Sequence, residues 1–217
     1  MVRGRRGYDP PVTPDATHAA FARAAAEDGV PLERRSYDWL CEQGHVGLER
    51  VAKARRDPAI VAPVKAALDV LAAIYARLRG DVAVLHAARA NLLLPVDLVH
   101  AASGTVIEVD GPEHFTSFRR STLDLYPAGA GSGFDLADYR ARCDRLAPAS
   151  DLLGRGLPAK GFGFGGVARE RAYHDALRDL GFPAMGHPPV LRIAVEDGDG
   201  AAAYARHRER LRALSAV

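Results

Sequence analysis

The chain has few of the residues and motifs that define several common protein classes. Its two cysteines, Cys41 and Cys143, have neither metal-ligand spacing nor a secretory context, so we interpret them as reduced thiols. No apolar run approaches the length of a membrane span, and no apolar segment follows the basic N-terminus as in a signal peptide. These absences predict a cytoplasmic protein, and the abundance of Ala, Arg, Gly and Asp suggests a bacterial source.

Charge and catalytic motifs exclude further classes. Basic residues outnumber acidic ones by 29 to 27, an excess of +2 that is too small to prove a nucleic-acid partner. No Gly-x-Ser-x-Gly elbow surrounds Ser103 or Ser121, which argues against a serine hydrolase. No Gly-x-Gly-x-x-Gly follows a predicted strand, which argues against dinucleotide binding. Four scattered histidines form no zinc set: His45, His86, His100 and His187.

At 217 residues the chain is long enough for one good-sized core. Glycine and proline residues within 1–14 predict a flexible tail, and residues 15–58 are predicted to form a helical extension. Residues 59–217 form the predicted core, with a Gly-rich insertion at about 127–166. Three- and four-residue spacing of apolar residues predicts helices near 15–28, 33–43, 46–56, 59–79, 111–126, 135–147, 167–180 and 199–215.

Four strands are predicted, near 82–86, 91–99, 104–110 and 189–195. The first three follow one another closely, as in a meander, whereas the fourth needs a crossover connection. The expected fold class is therefore α/β (α+β mixed sheet), with helices packed on both faces.

The segment from Pro95 to His114 is the most informative part of the chain. Asp97 closes an apolar run, and Glu108 and Asp110 frame Val109 on a second one. Because side chains alternate along a strand, Glu108 and Asp110 point the same way. If the two runs pair as a hairpin around Ser103-Gly104, three carboxylates converge. Such a cluster favours a bound hard cation such as Mg2+ or Mn2+.

Some of these acids also have structural interpretations. Asp97 would suit a strand–turn junction. Glu108 lies between Ile107 and Val109, where a buried charge costs several kcal/mol unless it is compensated. Asp110-Gly-Pro-Glu113 fits a capping box with Asp110 as N-cap, so capping and metal contact stay open for Asp110.

These segments resemble the PD-(D/E)XK nuclease superfamily, which has the restriction-endonuclease-like fold. The resemblance rests on Pro95-Val96-Asp97 and Ile107-Glu108-Val109-Asp110, and its helix–strand order covers about residues 59–196. It implies a core of about four strands flanked by helices. It also implies that Asp97, Glu108 and the Val109 carbonyl hold the catalytic metal. Asp110 stands where the family has Lys, so the usual activator of the attacking water is missing or replaced.

The string Ile-Glu-Val-Asp-Gly-Pro-Glu-His-Phe is also similar to a segment of very-short-patch-repair-like endonucleases and of RAP domains. In the former, the pattern carries a downstream histidine, which implies that His114 polarises water or protonates a leaving group. RAP domains are proposed to bind RNA, which implies a binding role without cleavage.

Basic residues near these motifs are candidate contacts for a phosphate backbone. Arg171 shares a helix face with Asp175 and is a candidate for stabilising transition-state charge in place of the missing Lys. The other predicted nucleic-acid contacts are Arg119, Arg120, Lys160 and Arg169. Lys160 lies in the Gly-rich segment, which lacks a Walker motif. We interpret this segment as a flexible flap or as a loop whose backbone contacts phosphate.

The leading hypothesis is a metal-dependent endonuclease that hydrolyses DNA with metal-activated water. The predicted catalytic residues are Asp97, Glu108, Asp110, His114 and Arg171, and the predicted metal ligands are Asp97, Glu108, Val109 and Asp110. The alternative is a non-catalytic module that binds RNA or DNA, and a weaker third interpretation is a structural protein. A homodimer is compatible with double-strand cleavage, and no membrane partner is predicted.

Overall fold

The computed structural model describes residues 14–130 and 132–214 of the chain, so nearly all of the predicted tail at 1–14 lies outside the described residues. The helices of the described part are α1 (Pro14–Glu27), α2 (Gly44–Arg55), α3 (Pro58–Arg77), α4 (Val82–Ala87), α5 (Ser117–Leu123), α6 (Leu136–Ser150), α7 (Val167–Ala184) and α8 (Gly200–Ala213). The strands are β1 (Leu32–Glu33), β2 (Leu98–His100), β3 (Val106–Asp110) and β4 (Leu191–Ala194), and a 3₁₀ turn spans Pro112–His114.

The four strands form one mixed sheet in the order β1-β2-β3-β4. The pairs β1–β2 and β2–β3 are antiparallel, and β3 pairs with β4 in parallel. The predicted hairpin around Ser103-Gly104 is confirmed, and Gly104 takes a left-handed φ of 69° in its turn. The mixed α/β fold class is therefore confirmed.

Apolar residues are buried on both faces of this sheet because successive strand residues point to opposite sides. On one face, Val99 and Val106 join the larger core with residues of α2, α3 and α7. On the other face, Ile107, Val109 and Ile193 pack with residues of α1 and α8. Residues 15–58, predicted as an extension, thus supply both a strand and a core helix.

Several predicted elements differ from the structure. The strand predicted at 82–86 is wrong, because these residues form α4, whose N-cap Asp81 accepts a hydrogen bond from Ala83 N–H at 3.0 Å. The helix predicted at 33–43 is also wrong, since β1 and turns occupy this region. The strand predicted at 91–99 is reduced to Leu98–His100. The helix predicted at 111–126 is split, because Thr116 caps a separate α5.

Helix α3 is the one helix in the described residues with the length and composition of a membrane span, at a mean hydropathy of 1.8. The helix was predicted at 59–79, but the expectation that no apolar run approaches the length of a membrane span is wrong by this measure. Val64, Leu71, Ile74 and Tyr75 of α3 are buried in the larger core, whereas only 28% of the apolar window as a whole is buried. Composition and length alone are weak support for a membrane segment.

Helices α1 and α8 approach each other closely at Gly200. A Cβ added at Gly200 would lie 2.0 Å from the Thr17 carbonyl oxygen. We expect Gly200→Ala to lower the free energy of unfolding by roughly 2 kcal/mol, because the clash outweighs the gain in helix propensity. Urea unfolding should show this loss, whereas the exposed neighbouring substitution Ala201→Ser should have little effect. Equal stability of the two variants would contradict the close approach.

Candidate metal centre and a buried charge network

The β2–β3 hairpin places Asp97 beside Glu108. Because Leu98 pairs with Ile107 in the antiparallel ladder, Asp97 lies across from Glu108 at the end of the hairpin. The Asp97 N–H donates to Glu108 Oε1 at 3.3 Å, and the Val109 N–H donates to Asp97 Oδ2 at 2.8 Å. The structure therefore brings together three of the residues predicted as metal ligands.

A histidine from α1 completes this cluster. His18 Nε2 lies 3.1 Å from the Val109 carbonyl oxygen and 3.5 Å from Asp97 Oδ2. The side chains of His18 and Asp97 are 22% and 25% exposed, so the cluster is reachable from solvent. A small cavity of about 50 Å³ adjoins it, lined in part by His18, Val109 and Glu113.

The donor chemistry of this cluster suits a divalent metal ion. Two ligands bound side by side to an octahedral ion at about 2.1 Å lie about 3 Å from each other. The two separations measured from His18 Nε2 are close to this value. A carboxylate oxygen and a main-chain carbonyl oxygen are ligands that Mg2+ and Mn2+ accept, and imidazole nitrogen is a ligand of Mn2+ and other transition metals.

Glu108 is compensated in a different way. Its side chain is 3% exposed, and Arg178 Nε lies 3.5 Å from Glu108 Oε2. Burial raises the pKa of Glu108 to about 8, because the favourable charge of Arg178 offsets only part of the desolvation and Asp97 adds repulsion. Arg178 also donates to the Pro95 carbonyl at 2.6 Å, which ties the segment before β2 to β3.

Asp110 does not take its predicted role as a helix cap. The N-cap of the 3₁₀ turn is Gly111, and no side chain caps this turn, so the capping box is wrong. Both carboxylate oxygens of Asp110 instead accept from Arg192 Nη1, at 2.8 and 2.9 Å. The Tyr139 hydroxyl donates to Asp110 Oδ2 at 3.0 Å. Arg192 occupies the position across from Glu108 in the parallel β3–β4 pair, and it neutralises Asp110 without a metal.

Arg192 is the centre of a larger buried charge network. Its Nε donates to Asp179 Oδ1 at 2.7 Å, and its Nη2 donates to Asp175 Oδ1 at 3.2 Å. Arg119 Nη2 donates to Asp179 Oδ2 at 2.6 Å. Arg119 is 1% exposed, so in this structure it is not available for the predicted contact with nucleic acid.

His114 supplies a further positive charge to this network. Its Nδ1 lies 2.9 Å from Asp175 Oδ2 and 3.5 Å from Asp110 Oδ1. Burial alone would lower the pKa of His114, but the two carboxylates outweigh it and raise the pKa to about 9. His114 is therefore protonated at neutral pH, a state that suits proton donation and not proton abstraction. Ligand atoms of Asp110, His114 and Asp175 lie within 4.8 Å of one another and could hold a metal, but salt bridges engage them.

The charge of His114 makes a testable contribution to stability. Its pKa of about 9 in the folded chain exceeds the ordinary value of 6.5, so the folded state binds this proton more tightly. The resulting stabilisation is fully present below pH 6.5 and is lost as the pH rises through 9. We expect the free energy of unfolding of the wild type to exceed that of His114→Gln at low pH. This difference should shrink by on the order of 2 kcal/mol as the pH rises across this range. Urea unfolding at both ends of the range measures this, and a constant difference would contradict it.

The remaining predicted basic residues lie outside the metal cluster. Arg171 Nη1 donates to the Glu113 carbonyl at 3.3 Å, and no ion pair joins Arg171 to Asp175 in the described residues. Arg120 lies on the surface, where it pairs with Asp124 and Asp144. The other two are in or beside the Gly-rich segment: Lys160, with Nζ 3.5 Å from Glu42 Oε2, and Arg169, which donates to the Phe162 carbonyl at 2.7 Å.

A larger cavity, with a volume of about 670 Å³, lies elsewhere, between α6 and α8. Arg142 and Arg145 share Glu196 across this cavity, and Arg206 lies 3.7 Å from Asp197. Its basic side chains are thus largely matched by acids of the same lining.

Four polar residues of the site were not among the predicted site residues: His18, Arg178, Asp179 and Arg192. Arg192 carried a usable signal, because it lies between Leu191 and Ile193 in a predicted strand, as Glu108 does between Ile107 and Val109. His18 carried none, since a single histidine in an amphipathic helix is usually structural.

Comparison of the chain with family models, with curated proteins and with solved structures gave no match. These comparisons therefore provide no support for the candidate site, and its geometry is the structural evidence for it.

Proposed function

We propose that the chain is a divalent-metal-dependent phosphodiesterase that cleaves nucleic acid, with DNA as the first candidate substrate and RNA as the second. The convergence of Asp97 Oδ2 and the Val109 carbonyl on His18 Nε2, beside Glu108, carries this proposal. The resemblance of these strands to PD-(D/E)XK nucleases supports it independently.

Asp97, the Val109 carbonyl and His18 would hold Mg2+ or Mn2+, and Glu108 would stay paired with Arg178 beside them. When bound, such an ion polarises the phosphate and lowers the pKa of a water ligand. In hydrolysis, the water oxygen forms a bond to phosphorus and its proton is released to solvent, the ester P–O bond breaks, and the leaving oxygen takes up a proton. Asp97 is the partly exposed anion that would orient the water. His114 is held protonated by Asp175 and suits proton delivery to the leaving oxygen.

The cation that replaces the missing Lys is a separate part of the proposal. Arg178, whose Nε lies 3.5 Å from Glu108 Oε2, is the candidate for supplying the charge of the missing lysine. Arg171, the residue first assigned this role, contacts the Glu113 carbonyl instead.

Cleavage assays test this function directly. We expect the purified chain to cut supercoiled plasmid or single-stranded oligonucleotides with Mg2+ or Mn2+ and to be inactive with EDTA. Mn2+ should also raise the melting temperature, because a ligand that binds only the folded state stabilises it. Activity that persists in EDTA, or a complete lack of metal effects on cutting and melting, would refute the proposal.

A second candidate is a nucleic-acid-binding module without cleavage. The observation that favours it is Arg192, which neutralises Asp110 internally so that this carboxylate requires no metal. Salt-sensitive binding of DNA or RNA, with no cutting and no shift in melting temperature on adding Mn2+, would select this candidate. A bacterial, cytoplasmic origin and a homodimeric state are proposed with either function.

A further inference from the structure

The outward face of α3 is apolar and exposed. An 18-residue window of this helix has a mean hydropathy of 1.8, yet only 28% of the window is buried. Six exposed positions recur at alternating steps of three and four residues, the spacing that places side chains on one helix face. They form what we call the alanine stripe: Ala59, Ala62, Ala66, Asp69, Ala73 and Ala76. The stripe lies on the side opposite Val64 and Leu71, which are buried in the larger core.

A helix face that remains in water usually carries charge, as α8 shows. Its exposed positions include Arg206, Arg208, Glu209, Arg210 and Arg212. From Pro58 to Ala76, by contrast, α3 has only two charged residues, Lys65 and Asp69. High helix propensity explains single exposed alanines but not this scarcity of charge. Small side chains at the spacing of a coiled-coil seam allow a second helix to approach closely, so the stripe suits another helix better than solvent.

An apolar groove adjoins the alanine stripe and widens this surface. Its volume is about 400 Å³, and it is lined in part by Ala66 and Val70 of α3 and by Leu180 and Pro183 of α7. Asp179 is the one charged residue among the described residues of the lining, and two buried arginines already pair with it. The groove therefore offers little to a charged ligand and extends the apolar surface beside the stripe.

The charged residues of α3 are placed symmetrically about its midpoint, with opposite signs. Lys65 lies two residues before Ala67, and Asp69 lies two residues after it. The N-cap Asp57 lies ten residues before Ala67, and Arg77 lies ten residues after it. All four charged side chains are exposed, and none of them forms an ion pair within the described residues. A second α3 that runs antiparallel to the first, centred on the same residue, would bring each charge next to its opposite.

We infer that the alanine stripe is the interface of a homodimer, in which α3 packs antiparallel against α3 of a second copy about a twofold axis near Ala67. Lys65 then pairs with the partner's Asp69, and the twofold axis repeats this contact. The small side chains let the two helix axes approach to about 8 Å, the lower end of the range for packed helices. The inference assigns a surface and a partner, and it does not depend on the proposed nuclease activity.

Self-complementarity selects a second copy over other occupants. A lipid surface is a poorer fit, because Lys65 and Asp69 lie in the middle of the face, where contact with hydrocarbon would be closest. An unrelated helix would match the charges of α3 only by carrying its own complementary pattern. A second copy carries that pattern by symmetry, because reversing the direction of α3 exchanges the positions of its positive and negative charges.

Charge reversal tests the pairing by sedimentation equilibrium of the full chain over a series of concentrations. We expect the wild type to dimerise with a Kd on the order of micromolar. Lys65→Glu places like charges together at both symmetric contacts and should weaken dimerisation by roughly 10- to 100-fold. The double variant Lys65→Glu with Asp69→Lys exchanges the two signs and should restore the wild-type affinity.

Glu209→Lys is the control for this series, because Glu209 is an exposed charge of α8 outside the stripe. It should dimerise like the wild type, and circular dichroism should show that all variants are folded, since the substituted positions are exposed. A wild type that stays monomeric at every concentration would overturn the inference. So would a Lys65→Glu chain that associates as tightly as the wild type, or a double variant that remains as weak as the single one.

Cysteine cross-linking tests the antiparallel arrangement. The twofold axis places Ala62 of one copy beside the partner's Ala73. The native Cys41 and Cys143 are fully buried, so they should not react in the folded chain. We expect mild oxidation of a mixture to join Ala62→Cys chains to Ala73→Cys chains, with little linkage of either variant to itself. Preferential linkage of Ala62→Cys chains to one another would indicate parallel helices and would overturn the arrangement.

Flotation with phosphatidylcholine vesicles tests the lipid alternative. We expect the dimeric wild type to stay in the soluble fraction, because the stripe is covered by the second copy. Recovery of monomeric chain with the vesicles, without self-association in their absence, would assign this face to lipid and overturn the inference. The cleavage assays are independent of this result, since a monomer that cuts nucleic acid with Mn2+ would refute the interface and leave the proposed function standing.

Discussion

Replacing Arg192 with methionine is expected to lower the free energy of unfolding by about 3–5 kcal/mol. The side chain of Arg192 has no solvent exposure, and it donates to three carboxylates: those of Asp110, Asp175 and Asp179. Methionine fills a similar volume but leaves these buried anions short of one positive charge. Removal of one partner from a buried ion network is costly because the remaining charges cannot recover their hydration.

Arg145→Met is the matched control for this experiment. Arg145 also pairs with an acid, Glu196, but its side chain is 58% exposed. Pairs of this kind contribute at most about 1 kcal/mol. Urea unfolding followed by circular dichroism compares the two variants. A cost for Arg192→Met no greater than that for Arg145→Met would contradict the buried network. Adding Asp110→Asn to Arg192→Met should recover part of the loss, since it removes one unpaired charge.

Replacing Asp97 with asparagine is expected to reduce metal-dependent cleavage on the order of 100-fold. An asparagine oxygen can still accept the hydrogen bond from the Val109 N–H, which is 2.8 Å from Asp97 Oδ2. The substitution therefore removes the negative charge and retains the local fold. The stabilisation of the chain by Mn2+ should fall together with activity.

Asp197→Asn is the control for Asp97→Asn, because Asp197 is a 57% exposed acid outside the proposed metal cluster. Its cleavage rate and its response to Mn2+ should match those of the wild type. Initial rates on plasmid and melting curves with increasing Mn2+ provide both readouts. If Asp97→Asn cleaves as fast as Asp197→Asn, the metal centre is not at this end of the hairpin.

The elements that could be predicted are those whose periodicity is unambiguous. The apolar residues of α3 recur at three- and four-residue steps, and the prediction of 59–79 matches Pro58–Arg77 closely. The segment 82–87, Val-Ala-Val-Leu-His-Ala, is too short for its pattern to distinguish a strand from a helix. It forms a helix, whose first turn is capped by the Asp81 side chain. The hairpin was predictable because two apolar runs flank a Ser-Gly turn.

The site was predictable where it depends on neighbouring strands and unpredictable where it depends on distant helices. The proximity of Asp97 and Glu108 follows from the hairpin alone. His18, by contrast, reaches Val109 across 91 residues of sequence, a contact that no local pattern encodes. Asp110 could not be assigned without β4, because its partner Arg192 lies 82 residues away. Arg119 was expected on the surface, and a long-range pair with Asp179 buries it.

The position of Arg192 in β4 also bears on how the last strand finds its place. Side chains of Leu191 and Ile193 enter the apolar core beneath α1 and α8, and Arg192 points to the opposite face. If β4 slipped by one residue along β3, the guanidinium would turn into hydrocarbon and the three carboxylates would lose their counter-ion. Misaligned docking of this strand is thus penalised on both faces at once.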